Sequence, residues 1–291
     1  MTDSVHSAGD EPAVAGGFTS TRFVLVEPSH PGNVGAAARA LKTMGFARLV
    51  LVRPRVPHVH EDPEACAMAS GATDVLASAH IVETLDEALS GVHWSLALSA
   101  RPREYGPPML TPRVAAQRAC EIVRTQAQEV ALVFGNERVG LSNADVDRCS
   151  AIVHIPANPA YSSLNLAQAI QVLAYEMRTA LQFAGLPITD GGVVGARPMT
   201  LGAIGAPGAK GEGESVSLVD EGVSPLATSE DVERMFAHLE RALISLEFLD
   251  PANPKKLMPR LRRLFARTGL EREEVAILRG IAKHILLKPK R

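Results

Sequence analysis

Three segments gather residue types that can act on a ligand, each where an apolar run gives way to a helical pattern. The first is Glu27, Pro28, Ser29, His30, Pro31, Gly32, Asn33, Val34, Gly35, followed by Arg39. On a wheel of about 100° per residue, Arg39 lies roughly opposite Val34, Ala38 and Leu41, so it points away from the side they would bury. A guanidinium there can offer a fork of donors to an anionic oxygen or phosphate. The plainer reading gives Gly32 and Gly35 to a tight turn and leaves Arg39 a surface charge. The second segment is Gly135, Asn136, Glu137, Arg138, Val139, Gly140, Leu141, Ser142, glycine-rich at both edges, where backbone can approach a ligand closely. It has neither the dinucleotide G-x-G-x-x-G spacing nor a P-loop Gly-Lys-Ser/Thr, and Glu137 also reads as a helix-capping carboxylate. The third runs from Ile155 through Asn158, Tyr161, Ser162, Ser163 and Leu164 to Asn165. One serine can cap the helix that follows; two serines with Asn165 exceed what capping needs and can hydrogen-bond a sugar or hold an arginine.

Other chemistries find little support. His58 and His60 form the only tight histidine pair and have no third ligand nearby, so no metal is expected. The three cysteines, Cys66, Cys120 and Cys149, are far apart and read as reduced, mostly buried thiols. No apolar run approaches the roughly 18 residues that span a bilayer, and the stretch before Phe18 has three acidic residues, no Lys or Arg and no apolar core of a secretory signal. A soluble, cytoplasmic protein is expected.

The elements that must position these loops follow from periodicity. Short apolar runs at Phe23–Val26, Leu49–Val52, His93–Leu98, Val130–Phe134 and Ala151–Ile155 read as strands, with Ile81 and Val82 as a possible further one. Each run is nearly continuous, as a parallel sheet covered on both faces requires, so the fold class is α/β. Between the first two strands, Val34, Ala37, Ala38, Leu41 and Met44 mark a helix that Asn33 would cap and Gly45 would end. Leu166, Ile170, Leu173, Met177 and Leu181 mark a long helix after the third loop. The chain is expected to divide into a tail (1–21), an α/β domain (22–185), a Gly-rich linker (186–227) that cannot bury a core, and a small helical extension (228–291). Its helices are marked by Val232, Met235, Phe236, Leu239, Leu243 and Leu246, then Leu257, Leu261 and Leu264, then Val275, Leu278, Ala282 and Ile285.

The formal charge of -2 conceals a segregation. From Pro251 onward 12 Lys or Arg face three Glu, a net of +9, whereas the rest carries 18 basic and 29 acidic residues. Such a tail suits a polyanion, RNA above all, though a solvated helical face explains it equally well.

Taken in order, the three loops resemble the motifs of the SpoU branch of the SPOUT methyltransferases. "SHPGNVGAAARALKTMG" is similar to motif 1, "LVFGNERVGLS" to motif 2 and "IPANPAYSSLNLAQAIQVLAYE" to motif 3. Within that branch the wording is most similar to the TrmJ-type enzymes, which methylate the ribose 2'-oxygen of tRNA nucleotide 32, and "NPKKLMPRLRRLFART" with "EREEVAILRGI" resembles their helical extension. The resemblance implies a mostly parallel sheet whose C-terminal part forms a trefoil knot, S-adenosylmethionine bound in the knot, and a site completed across a homodimer. It assigns catalysis to Asn33, Arg39, Glu137, Ser163 and Asn165, and cofactor contacts to Leu98, Ser99, Ala100, Gly135, Ile155, Ser162, Ser163 and Leu164. A guanidinium is a poor base, so Arg39 is expected to donate to the 2'-oxygen and a phosphate while Ser163 and Asn165 orient that oxygen. Arg260, Arg262, Arg263 and Arg267 are the expected phosphate contacts on tRNA. An rRNA substrate for the same chemistry, a non-catalytic RNA-binding protein and, on the strand-loop-helix pattern alone, an NAD-dependent enzyme are the alternatives.

Overall fold

The structure, a computed structural model, describes residues 17–100, 106–124, 128–182 and 225–287. Most of the expected tail and linker lies outside them. Seven strands form one sheet: β1 (Thr21–Val26), β2 (Leu49–Val52), β3 (His80–Val82), β4 (Trp94–Leu98), β5 (Met109–Leu110), β6 (Val130–Phe134) and β7 (Ala151–Val153). They are ordered β3-β2-β1-β6-β4-β7-β5 and every pairing is parallel. The five expected strands and the Ile81–Val82 strand are present. Strand β5 escaped the sequence reading because two residues flanked by prolines carry no periodic signal.

The continuous apolar runs are explained by burial on both faces. Phe23 and Leu25 of β1, Leu49 and Leu51 of β2 and Leu132 and Phe134 of β6 share one core with helices α1 (Pro31–Thr43), α2 (Pro63–Ala69), α5 (Pro112–Arg124) and α7 (Leu166–Gln182). Their alternate neighbours, Val24, Val26, Val50, Val52, Ala131 and Val133, face a second core with α4 (Leu85–Ala88) and α6 (Asn143–Asp147). The 3₁₀ turn Ser70–Ala72 and α3 (Thr73–Ala77) complete the chain between α2 and β3. The three cysteines are free, and burial pushes the Cys149 thiol up to about 12, as expected of an inert core thiol.

Two boundaries move. Phe18, placed in the tail by sequence, is 8% exposed and packs on Phe46 with ring centroids 5.0 Å apart, while Thr21 already belongs to β1. At the other end, Ala227, assigned to the linker, is buried with Met235, Phe236 and Val275 in a third core, formed by α8 (Ser229–Ser245), α9 (Leu257–Ala266) and α10 (Arg272–Leu287). A single side chain outside a periodic run, such as Phe18 or Ala227, gives no sequence signal of its burial.

Helix starts also differ from expectation. Asn33 does not cap α1: Pro31 opens that helix, and Asn33 sits inside its first turn. A proline at the first helical position has no N–H to satisfy and presets the backbone angle. The end of α1 is as expected, with Gly45 at φ +84°.

Candidate active site

Parallel strands send all their carboxyl ends to one edge, where open α/β sheets bind ligands. The first loop leaves β1, the second leaves β6 beside it, and the third follows β7, which pairs with β4, the neighbour of β6 on its other side. All three converge because the sheet order is non-sequential.

One network ties them. The Glu137 carboxylate of the second loop accepts from Ser29 N at 2.9 Å, Ser29 Oγ at 2.7 Å, His30 N at 3.2 Å and Asn33 Nδ2 at 3.0 Å. The helix-capping role weighed for Glu137 is not observed: it meets the N–H groups of Ser29 and His30, which precede α1, while α6 is capped by Ser142 and Asp145. Asn33 Oδ1 in turn accepts from Asn165 Nδ2 at 3.0 Å, joining the third loop. Asn165, not Ser162 or Ser163, caps α7, its Oδ1 accepting from Ala167 N at 2.9 Å. The two serines stand too early in the chain for that and are exposed.

Glu137 is held below the usual carboxylate range. Its partial burial raises the pKa, but the hydrogen bonds from Asn33 and Ser29 outweigh that. The carboxylate is therefore ionised at neutral pH, and no cation pairs with it among the described residues. With its oxygens already engaged by four donors, it orients the Asn33 amide.

The second loop is shaped by its own backbone. A Cβ on Gly135 would stand 2.3 Å from Gly140 C and Leu141 N, so only glycine lets the loop fold back there. Asn136, 7% exposed, donates through Nδ2 to Glu27 O at 2.7 Å and accepts Arg138 N at 2.9 Å. Ser29 and Asn136 were not singled out from sequence. Their signal was present, a hydroxyl four residues before Asn33 and an amide directly before Glu137, but partners more than 100 residues apart leave no spacing to read.

The expected cofactor positions also gather at this edge. Leu98, Ser99 and Ala100 run off β4, with Ser99 N donating to Val153 O at 3.0 Å, between Gly135 after β6 and Ile155 after β7. Leu98, Ile155 and Leu164 are half-buried and Ser162 and Ser163 exposed. Half-buried apolar side chains thus stand near exposed hydroxyls at this edge.

Arg39 is not drawn into the network. It is exposed, about 9 Å along α1 from Asn33 at 1.5 Å per residue, and its guanidinium pairs with none of the described residues. Of the expected phosphate contacts on α9, Arg260 and Arg267 are exposed and Arg263 is half-exposed. Arg262 departs from expectation. It turns inward, binding Glu233 through both terminal nitrogens, one at 2.8 Å, with its guanidinium carbon 4.4 Å from the centre of the Phe236 ring. Its place on the wheel explains this, since Arg260, Arg263 and Arg267 fall roughly 100–160° away from it. No group of three or more metal-ligating side chains occurs among the described residues, His58 being exposed and His60 half-buried. No described helix is long and apolar enough to cross a membrane.

Comparison with known proteins agrees with this geometry. Residues 20–175 match the SpoU rRNA Methylase family, and residues 230–291 match the C-terminal domain of tRNA methyltransferase TrmJ. The chain is 46% identical over 261 residues to the tRNA (cytidine/uridine/adenosine-2'-O-)-methyltransferase TrmJ of Pseudomonas aeruginosa, covering 89% of this chain and 91% of that protein. It is 43% identical over 267 residues to the tRNA (cytidine/uridine-2'-O-)-methyltransferase TrmJ of Yersinia enterocolitica, covering 91% of this chain and 90% of that one. Among solved structures, TrmJ from Z. mobilis aligns over 91% of this chain and 99% of its own with a TM-score of 0.69 at 30% identity. A probable methyltransferase from Bordetella pertussis is 54% identical over 57% of this chain and 98% of its own, with a TM-score of 0.54. With more than half of the chain matching the SpoU family model and about nine-tenths of it aligned to TrmJ enzymes at 43–46% identity, the chain belongs to the SpoU methylase family and, within it, groups with the TrmJ enzymes.

Proposed function

We propose that the protein transfers a methyl group from S-adenosylmethionine to the ribose 2'-oxygen of a tRNA nucleotide, at position 32 of the anticodon loop. The observation that carries this is the network in which Glu137 holds Asn33 and Asn33 holds Asn165, bringing three family motifs to one edge of the sheet. The match of residues 230–291 to a tRNA methyltransferase domain favours tRNA over rRNA. When bound, S-adenosylmethionine supplies a methyl carbon activated by its sulfonium. Leu98, Ile155 and Leu164 would hold its adenine, while Ser99, Ala100, Gly135, Ser162 and Ser163 would meet its polar groups.

The chain's own work is positioning and charge stabilisation. Ser163 and Asn165 orient the 2'-hydroxyl, and Asn33 keeps Asn165 in place under the hold of Glu137. Arg39 donates to the oxygen as negative charge develops and to the adjoining phosphate, and the hydroxyl proton leaves to solvent water as the oxygen takes the methyl group. Its place away from the network in one chain supports a homodimer in which Arg39 of one protomer serves the site of the other. We read the carboxyl-terminal part of the sheet domain as a trefoil knot. The helical unit is a separate RNA-binding domain, from about residue 227 on, joined by the Gly-rich stretch, and the enzyme works in the cytoplasm. Arg260, Arg263 and Arg267 are its phosphate contacts.

The test is transfer of labelled methyl from S-adenosylmethionine to bulk tRNA, with the nucleoside identified after digestion. Wild type should label a ribose 2'-oxygen. Arg39→Ala should lose about a hundredfold or more, and Arg39→Lys should not recover it, since a point charge cannot replace a fork of donors. Near-normal turnover in Arg39→Lys would sink the role given to Arg39. Absence of label on tRNA with label on rRNA would replace the substrate.

A further inference from the structure

The helical unit does not lie beside the catalytic loops. It touches the opposite edge of the sheet, at residues that precede strands. Ser229 N donates to Val92 O at 2.7 Å, just before β4, and Arg148, before β7, binds the carboxylate of Glu233. From the other side the same carboxylate is held by Arg262. Glu233 thus stands between a cation of the sheet domain and a cation of α9. Side-chain exposures of 35% for Arg148, 24% for Arg262 and 22% for Glu233 leave the clamp partly shielded from water, and Asp86 lies 3.4 Å from Arg148. Charge-assisted pairs in a partly covered site resist salt better than surface pairs, and losing one member strands the others.

We propose that Glu233 docks the basic helical unit on the amino-terminal edge of the sheet and so fixes the spacing at which one RNA meets both that unit and the methyl-transfer edge. This rests on the function proposed above. The two edges are separated by at least the length of β4, roughly 16 Å for five residues at 3.3 Å each. With Arg262 turned to the clamp, Arg260, Arg263 and Arg267 lie roughly 100–160° around the helix axis from it. Substrate choice then depends on RNA reach: an RNA contacting only the catalytic edge forgoes the helical unit, and one spanning both gains its phosphate contacts without the entropy of ordering a loose domain. Glu233 is a positioning residue that acts through Arg148 and Arg262.

The experiment uses the full chain and a set of RNA hairpins that share one target loop and differ only in stem length. For wild type, KM should fall about tenfold once the stem passes a threshold length. In Glu233→Gln, and independently in Arg148→Gln, which breaks the clamp from the sheet side, this step should vanish. KM for long hairpins rises to the short-hairpin value, while kcat, KM for short hairpins and affinity for S-adenosylmethionine stay unchanged. A purely structural role would lower kcat on all hairpins alike. No length step in wild type, or a step kept in a folded variant of either kind, overturns the proposal. Tighter binding of long hairpins by Glu233→Gln overturns it too, by showing that the clamp hides Arg262 from RNA. If wild type methylates neither hairpins nor tRNA, the proposed function fails, and the length step is read in hairpin dissociation constants instead.

Discussion

Two carboxylates at opposite edges of this parallel sheet, Glu137 and Glu233, are used in opposite ways, although Glu27 at the carboxyl edge also pairs with Arg53 and Arg55. At the carboxyl edge, Glu137 is met only by neutral donors, those of Ser29, His30 and Asn33. At the amino edge, Glu129 sits between Arg22 at 2.5 Å and Arg48 at 2.8 Å, and Glu233 between Arg148 and Arg262. Neutral amides and hydroxyls orient a carboxylate without cancelling its charge, so Glu137 remains an ordered, unneutralised negative group at the carboxyl edge. Paired guanidinia cancel it and clamp. The first arrangement orients side chains of the candidate site, and the second holds domains and strand ends.

The sharpest way to break this contrast is Glu137→Gln. The substitution keeps the shape but turns an amide N–H₂ toward groups that are themselves donors, so Asn33 and Asn165 lose their fixed orientation. Methyl transfer should fall by about a hundredfold, with affinity for tRNA little changed. If kcat stays within about threefold of wild type, the network does not position the reaction.

Acid should reveal both kinds of site. Burial raises the Glu129 pKa, but Arg48 and Arg22 outweigh it, and Glu137 is lowered through Asn33 and Ser29, so both lie below the ordinary 4.5. A group whose folded pKa is depressed stabilises the fold fully above its unfolded value, and that stability is lost as pH falls through the folded value. Tm should therefore be flat near neutrality and decline below about pH 4.5, with a smaller decline in Glu129→Gln. An equal decline in that variant would remove the ion pair from the account.

The smallest effect is expected at the surface. Arg267→Glu should raise KM for tRNA about threefold, more at low salt than at high, and leave affinity for S-adenosylmethionine unchanged. The same reversal at Arg262 should do more, because it places two carboxylates together beneath Phe236. Equal effects at the two positions would contradict the inward and outward faces of α9.

Much of the molecule was legible beforehand. The strands β1, β2, β4, β6 and β7 were visible because a sheet covered on both faces demands uninterrupted apolar runs. The identities of Asn33, Glu137 and Asn165 were visible through motifs. Their partners were not: Asn33 reads locally as a cap because Asn is a good cap, and only the approach of Glu137 from a neighbouring strand end turns it to another use. Ser162 and Ser163 were equal candidates to start α7 until backbone geometry gave that place to Asn165. Among the arginines of α9, charge was legible but direction was not, since a guanidinium over a phenyl ring and one in water have the same sequence signature.

By itself, then, the sequence determined the layered α/β class, the family and the residue types available for chemistry, because periodicity and local motifs are short-range properties. Tertiary structure alone decided which loops meet, which carboxylate receives cations and which receives amides, and at which edge the helical unit rests. Those depend on a strand order that departs from chain order and on contacts between residues about 100 positions apart, where no local preference acts.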